Sequence, residues 1–211
     1  MFKIDKETYK VEERNYYKTE YTKKQIILGG SLRKDNHNIV HLKKKDYGYT
    51  TKWPTYTISR SGEIFQHFDP KCYSDHMGIK EIDKKSISIN LENMGMVYYD
   101  YENNKFLSWT NDICPEENIF EKNWKGNRYW ERYTKEQFLA TAELCKYLCD
   151  EYGVPLECEG HNSHMDNAII YEGILSKSNF DMDYQDVNPS FDFKKFLQVL
   201  NIPLTKDEQI T

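Results

Sequence analysis

Histidine and acidic side chains late in the chain are the first candidates for chemistry. His161 and His164 lie three residues apart in the segment GHNSHMDN, and Asp186 stands in DYQDVNPSFDF, just before a predicted helix start. Two loop histidines could bind a metal ion, but a protein zinc site normally has a third ligand, and none follows nearby. Asp186 could also simply stabilise the helix N-terminus. The spacing alone leaves a metal site and ordinary polar loop residues both open.

The segment QIILGGSLR, residues 25–33, predicts a strand that could position such side chains. The apolar run 26–28 is typical of a buried strand, and it ends directly on Gly29 and Gly30. Two glycines there could form a turn, since glycine adopts positive φ without strain. They could also leave room for another backbone or a ligand to come close.

Further strands are predicted on both sides of the middle of the chain. A β-hairpin is expected in WPTYTISRSGEIFQHFDP with its turn at residues 60–62, and a second one in VYYDYENNKFLSW with its turn at residues 103–104. Between them, KSISINLEN alternates apolar and polar residues, which predicts a strand with one apolar and one polar face. The aromatic-rich stretch that continues through Trp124 and Trp130 is expected to be a loop.

Helix signals complete the prediction of an α/β fold with a mixed central β-sheet flanked by helices. A short helix is expected around residues 39–42, and the strongest one begins after Thr134 and ends at Gly153. A last helix is expected with Asn188 as its N-cap and Pro189 at its first position. The segment from residue 161 to residue 187 is expected to be a loop.

The composition indicates one folded domain over residues 1–211. The chain has 17 Tyr and 10 Phe, and its formal net charge of -5 argues against a protein that coats nucleic acid. We expect a soluble protein with no signal peptide, since no apolar run approaches the roughly 20 residues of a membrane span. Five cysteines without CxxC spacing favour reduced, buried thiols over disulfides or a cysteine-rich zinc site.

The order of these segments resembles the type 2 N-acetylmuramoyl-L-alanine amidase family, which includes amidase-type phage endolysins and peptidoglycan-recognition proteins. The resemblance runs over about residues 20–200, through the GGS strand end, YTISRSGEIFQHFD, YSDHMG, SISINLEN, the YTKEQ helix, GH and DVNPSFDF. Residues 94–133 are interpreted as an insertion that covers a sheet edge or shapes a cleft. The resemblance implies a zinc ion on the cleft floor that polarises the lactyl-amide carbonyl and activates a water.

The resemblance also implies three zinc ligands, of which this sequence keeps two. His161 matches the histidine of the family's GH pair, and Asp186 matches the ligand before the last helix. Gly29 replaces the first ligand, since IILGGS stands where members have IVLHHT, and glycine has no donor atom. We expect Gly29, His161 and Asp186 to converge on one spot without zinc. The alternative is a third ligand from one of three other histidines, His37, His67 or His164.

The catalytic positions implied by the resemblance differ as well. Pro54 stands where many members have a tyrosine, Asn90 where others have a glutamate, and Tyr184 where a lysine often precedes the third ligand by two residues. An asparagine cannot act as a general base. His76 matches a histidine that lines the substrate cleft, although an ordinary loop histidine is an equal alternative, and His41 matches a structural position.

These departures favour a peptidoglycan-binding or virion-assembly protein with the amidase fold, a pseudoenzyme that has lost its zinc site and its catalysis. An active zinc-dependent amidase with an unusual third ligand and a purely structural phage component are the alternatives. Peptidoglycan fragments or assembly proteins are the expected partners, without nucleic acid or membrane. Synthesis in the cytoplasm is expected, followed for a phage protein by incorporation into virions or release to the cell wall. The expected substrate-binding residues are Ser31, Trp53, Tyr56, His76, Asn90 and Tyr184.

Overall fold

The structure is a computed structural model that describes residues 3–203. Within these residues the strands are β1 Ile4–Asp5, β2 Gln25–Gly30, β3 Tyr56–Ile58, β4 Ile64–Gln66, β5 Ser86–Leu91, β6 Met96–Asp100, β7 Lys105–Ser108, β8 Ile113–Cys114, β9 Ile119–Trp124, β10 Asn127–Glu131 and β11 Gly173–Ser176. The helices are α1 His37–Lys44, α2 Lys80–Lys85, α3 Lys135–Tyr152, α4 Lys177–Phe180 and α5 Phe193–Leu200.

The main sheet has the strand order β1-β4-β3-β5-β2-β11 and is mixed, as the sequence predicts. β3 and β4 form the expected antiparallel hairpin, whereas β2 pairs in parallel with both β5 and β11. In this register Gly29 lies opposite Asn90, and Leu28 lies opposite Ser176. Because parallel strands end at the same sheet edge, the residues that follow β2, β5 and β11 meet there.

Both faces of the central strands are buried. On one face, Leu28 and Ile89 belong to a cluster with side chains from α3 and α5, and on the other Ile27 packs with Met77 and Ile82. The alternation predicted for residues 86–91 is present, but its polar face is buried too, with Ser88 only 1% exposed. This burial is possible because the Thr55 N–H donates to Ser88 Oγ at 2.9 Å.

The predicted central helix is confirmed as α3. Thr134 caps it, since its Oγ accepts a hydrogen bond from the Gln137 N–H at 3.1 Å, and Gly153 follows with φ of 67°. The helix buries Cys145 and Cys149, and all five cysteines of the chain are free thiols. No helix within residues 3–203 is long and apolar enough to cross a membrane.

Residues 96–131, most of the segment interpreted from the sequence as an insertion, form a second sheet with the order β8-β7-β6-β10-β9. β6 and β7 are the predicted second hairpin, but the stretch expected to be an aromatic loop is the hairpin of β9 and β10. Its turn is at Lys125 and Gly126, both with positive φ. Trp130 is fully buried, and its indole N–H donates to the Lys122 carbonyl at 2.9 Å. Bulky aromatic residues here are strand residues.

The last third of the chain differs from the prediction in two places. The expected loop 161–187 contains β11 and α4, and α5 begins at Phe193 instead of after Asn188. Asp192 is the N-cap of α5, because its Oδ1 accepts from the Lys195 N–H at 2.9 Å. Asn188 is instead a buried residue whose side-chain amide donates a hydrogen bond to the Asn93 side chain at 2.9 Å.

Candidate functional site

Gly29 lies at the centre of a polar floor at the carboxyl end of β2. A Cβ atom placed on Gly29 would lie 2.8 Å from Lys177 Cε, 3.0 Å from Asp186 Oδ2 and 3.1 Å from Asn90 Oδ1. Three separate segments thus converge on this one α-carbon. Of these three neighbours of Gly29, Asn90 and Asp186 are also predicted from the sequence to belong to the site.

Asp186 is held firmly at this floor. It is 3% exposed, and its Oδ2 accepts a hydrogen bond from the Gly30 N–H at 2.8 Å. Its own carbonyl accepts from both the backbone N–H and the hydroxyl of Ser178, at 2.9 Å and 2.8 Å. One carboxylate oxygen is therefore engaged with the backbone of β2.

Lys177 is the component of the site that sequence reasoning missed. It follows β11 directly and reaches over Gly29, and its half-buried side chain places Nζ 5.8 Å from the centroid of the Tyr184 ring. Tyr184 is the position at which the family resemblance implies a lysine, and the ammonium near it comes instead from Lys177. The sequence before Lys177 offers only the apolar pair Ile174 and Leu175, which is too short to predict a strand.

His161 lies in a loop beside this floor. Its Nδ1 accepts from the Ser163 N–H at 3.2 Å and lies 3.4 Å from the Asn179 amide nitrogen. The next residue, Asn162, donates to the Val187 carbonyl at 2.8 Å, which ties the loop to the chain beside Asp186. His161 itself lines a cavity of about 670 Å³ together with residues of β9 and α5.

The three alternative histidine ligands have partners elsewhere. His67 is fully buried between Thr57 Oγ1, at 2.8 Å, and the Tyr9 carbonyl, at 2.9 Å, and this burial lowers its pKa to about 4. Each of the other two pairs with an acidic residue: His37 Nδ1 lies 3.8 Å from Asp112 Oδ2, and His164 Nε2 lies 3.4 Å from Asp166 Oδ1.

The donor groups on this floor do not fit a zinc ion. Gly29 offers no donor, and the Lys177 side chain occupies the space into which a residue-29 side chain would extend. Across residues 3–203, no three His, Cys, Asp or Glu side chains come together as a metal-binding group. Zinc sites with a catalytic water use three protein ligands, and the described residues do not supply them here.

His76 is buried in a network of its own. Its Nδ1 lies 3.1 Å from Asp83 Oδ1 and its Nε2 lies 3.2 Å from Ser86 Oγ, and the side chain is 5% exposed. Burial lowers the pKa of His76 to about 3, with a further contribution from the charge of Lys177. Burial raises the pKa of Asp83 to about 6. A buried, neutral imidazole does not match the predicted role of lining the cleft.

Two other predicted contacts with substrate do not match the structure. Trp53 is 2% exposed and packs in a small core with Phe68, and Tyr56 is fully buried in the main core. Neither ring can stack on a ligand without moving out of the core. Ser31 is 7% exposed and donates to the Arg33 carbonyl at 3.0 Å, which makes it part of the turn after β2.

Comparison with solved structures shows that the fold is that of known amidases. The structure of N-acetylmuramoyl-L-alanine amidase LysC from Clostridium intestinale is 12% identical, with a TM-score of 0.56 over 95% of this chain and 99% of that one. The E. coli amidase AmiD, solved with anhydro-N-acetylmuramic acid-L-Ala-D-gamma-Glu-L-Lys, is 16% identical, with a TM-score of 0.58 over 96% of this chain and 70% of that one.

Sequence comparison gives the family. Comparison with curated protein sequences finds no match. A family model described as N-acetylmuramoyl-L-alanine amidase, Amidase_2, matches residues 29–173. Since this match covers more than half of the chain, the protein belongs to the type 2 N-acetylmuramoyl-L-alanine amidase family.

Proposed function

We propose that this protein binds a peptidoglycan fragment, a muropeptide, in the cleft above Gly29, and that it does not hydrolyse the fragment with zinc. The observation that carries this proposal is the contact between Gly29 and Lys177. A lysine side chain covers the position from which a ligand histidine would extend, with Cε 2.8 Å from the Cβ site. An ammonium group repels a metal cation and cannot coordinate it.

The position of Asn90 supports the loss of hydrolysis. Its Oδ1 is 3.1 Å from the Cβ site of Gly29, so it faces the same floor as Asp186. A carboxylate there could accept a proton from an attacking water, but a carboxamide has no basic group near neutral pH. It can still orient a ligand by donating and accepting hydrogen bonds.

The cavity beside His161 supports retained binding. Its walls carry the aromatic side chains of Phe120 and Trp124 together with Arg132, and Lys125 lies over the Trp124 ring at 4.7 Å. Lys125 also donates to the Tyr184 carbonyl, which joins the β9–β10 turn to the cleft floor. Aromatic faces next to cations and hydrogen-bonding groups suit a sugar with an acidic peptide. The E. coli relative was solved with such a ligand.

Two assays on the same purified protein test the proposal. Calorimetry with N-acetylmuramoyl-L-alanyl-D-isoglutamine should show binding, and incubation of murein with the protein and added zinc should release no peptide. Peptide release at a rate that depends on His161 and Asp186 would establish the active amidase instead. A protein that neither binds the muropeptide nor sediments with insoluble murein would fit a purely structural role.

A further inference from the structure

We infer that the cleft floor recognises a carboxylate through Lys177, and that the ligand it prefers is a muramic acid whose lactyl group is free. This inference rests on the proposed muropeptide binding and names the form of the ligand. In an intact muropeptide the lactyl group is an amide with a neutral carbonyl. After an amidase has removed the peptide, the same group is a carboxylate.

The first observation is that the Lys177 ammonium has no hydrogen-bond acceptor among residues 3–203. Across residues 3–203, no carboxylate lies within 4.0 Å of its Nζ, and the Nζ lies 5.8 Å from the centroid of the Tyr184 ring. An ammonium has three donor hydrogens, and leaving them without acceptors in a half-buried position costs free energy. A bound oxygen ligand would remove that cost.

The second observation is the charge around the floor. Asp186 is the carboxylate beside Gly29, and its Oδ2 is already held by the Gly30 N–H at 2.8 Å. Two lysines approach this region: Lys177 over Gly29, and Lys125, whose ammonium donates to the Tyr184 carbonyl. Asp181 and Asp183 act on Lys125 together with Asp186 and compensate its charge. Lys177 has no carboxylate of residues 3–203 within 4.0 Å, so it is the ammonium that can pair with an anionic oxygen.

The third observation is a free amide next to the lysine. Asn90 is 9% exposed, and its side chain forms no hydrogen bond with any residue from 3 to 203. An amide N–H₂ and an ammonium on one floor can bind the two oxygens of one carboxylate. Gly29 is then required for a physical reason, because any larger residue would push the lysine away from this position.

The test compares two sugars that differ only at the lactyl group. N-acetylmuramic acid, with a free carboxylate, and its lactyl carboxamide, which has no carboxylate, are titrated into the wild-type protein and into the Lys177→Met variant. The wild type should bind N-acetylmuramic acid more tightly. Lys177→Met should weaken that binding about tenfold, as expected for one charge-assisted contact, and change binding of the amide by much less.

A matched control and the contradicting outcomes complete the design. Lys194 is exposed on α5, so Lys194→Met removes the same charge away from the cleft and should leave both affinities unchanged. Equal affinity of the wild type for the two sugars, or equal loss of both in Lys177→Met, would overturn the carboxylate inference while the proposed function stands. Failure of both sugars to bind the wild type would overturn the two together.

Discussion

The two ends of the strand pair β2 and β5 differ in how their polar groups are used. At the start of the strands, Gln25 donates to the Ala168 and Tyr171 carbonyls, and Ser86 donates to the Ile82 carbonyl at 2.7 Å. At the carboxyl end, Lys177 and Asn90 have donors that no residue between 3 and 203 accepts. Polar groups at the first end therefore hold the fold, whereas Lys177 and Asn90 at the second end keep donors that the described residues do not use.

The first end also shows that residue types alone do not define a site. Ser86, His76 and Asp83 have the order of contacts of a Ser-His-Asp triad, at 3.2 Å and 3.1 Å. Ser86 is only 2% exposed, however, and its hydroxyl donates to a backbone carbonyl. No substrate carbonyl can reach that oxygen, so the three residues form a structural network.

The largest effect is expected from breaking the buried network. Asp83 Oδ1 accepts a hydrogen bond from the Met77 N–H at 2.8 Å and pairs with the His76 ring. Asp83→Ala would leave both of these groups without an acceptor. Two buried groups without partners should lower the free energy of unfolding by about 3 kcal/mol. Urea denaturation measures this, with Asp150→Ala on the exposed side of α3 as the control. A loss as small as that of the control would contradict the structural role of the network.

Because of the same network, the free energy of unfolding should change with pH by about 2 kcal/mol. His76 has a folded pKa of about 3, below the unfolded value of about 6.5, because of burial and the charges of Lys177 and Lys23. Its contribution to stability is thus present above pH 6.5 and is lost as the pH falls. Asp83 has the opposite sign, because its folded pKa of about 6 is raised, and its contribution is lost as the pH rises through that value.

The two signs can be separated with His76→Gln. Since the shift of His76 is the larger one, the wild type should lose stability between pH 6.5 and pH 4, and the variant should lose less. His67 is buried with the same sign and is present in both proteins, so the difference between them isolates His76. Urea midpoints across this range measure it, and parallel curves for the two proteins would show that His76 does not titrate as the structure indicates.

An intermediate effect is expected at the carboxyl end from Gly29→Ala. The new methyl group would meet Lys177 Cε at 2.8 Å, and the lysine can move aside, so the cost should be about 1 kcal/mol. In a Lys177→Ala background the same substitution should cost less, because the ε-carbon is absent. A double-mutant cycle on unfolding free energies measures this coupling. Strict additivity would mean that the lysine does not lie over Gly29 in solution.

The smallest change in stability is expected from Lys177→Met. Its ammonium has no hydrogen-bond acceptor within residues 3–203, so the unfolding free energy should change by no more than about 0.5 kcal/mol. Thermal denaturation with Lys194→Met as the matched control measures this. A loss comparable to that of Asp83→Ala would show that Lys177 is a structural residue, and the contrast between the two strand ends would disappear.

The sequence predicts the scaffold well where its signals are local. The cap at Thr134 and the stop at Gly153 are set by backbone preferences of single residues. Gly29 and Gly30, by contrast, are both strand residues of β2 and do not form a turn. The placement of Asp186 at this floor follows only from the family resemblance. Asp186 and Gly30, which its carboxylate contacts, are 156 positions apart, and no local rule joins them.

The parts that escaped prediction depend on tertiary packing. β11 is only four residues long, so periodicity does not reveal it, and Lys177 was missed with it. Trp53 and Tyr56 have polar atoms that suit a sugar site, but tertiary packing buries both rings in the core. His76 was placed at the cleft by analogy, whereas burial beside Asp83 decides its role.

Zinc retention by the purified protein is the measurement that decides whether this floor binds metal. The wild-type chain is dialysed against excess zinc and then against metal-free buffer, and the zinc content per chain is measured by mass spectrometry. A floor made of Gly29, Asn90, Asp186 and Lys177 predicts that no stoichiometric zinc is retained. Retention of one zinc per chain that is lost in a His161→Ala or Asp186→Ala variant would contradict the account.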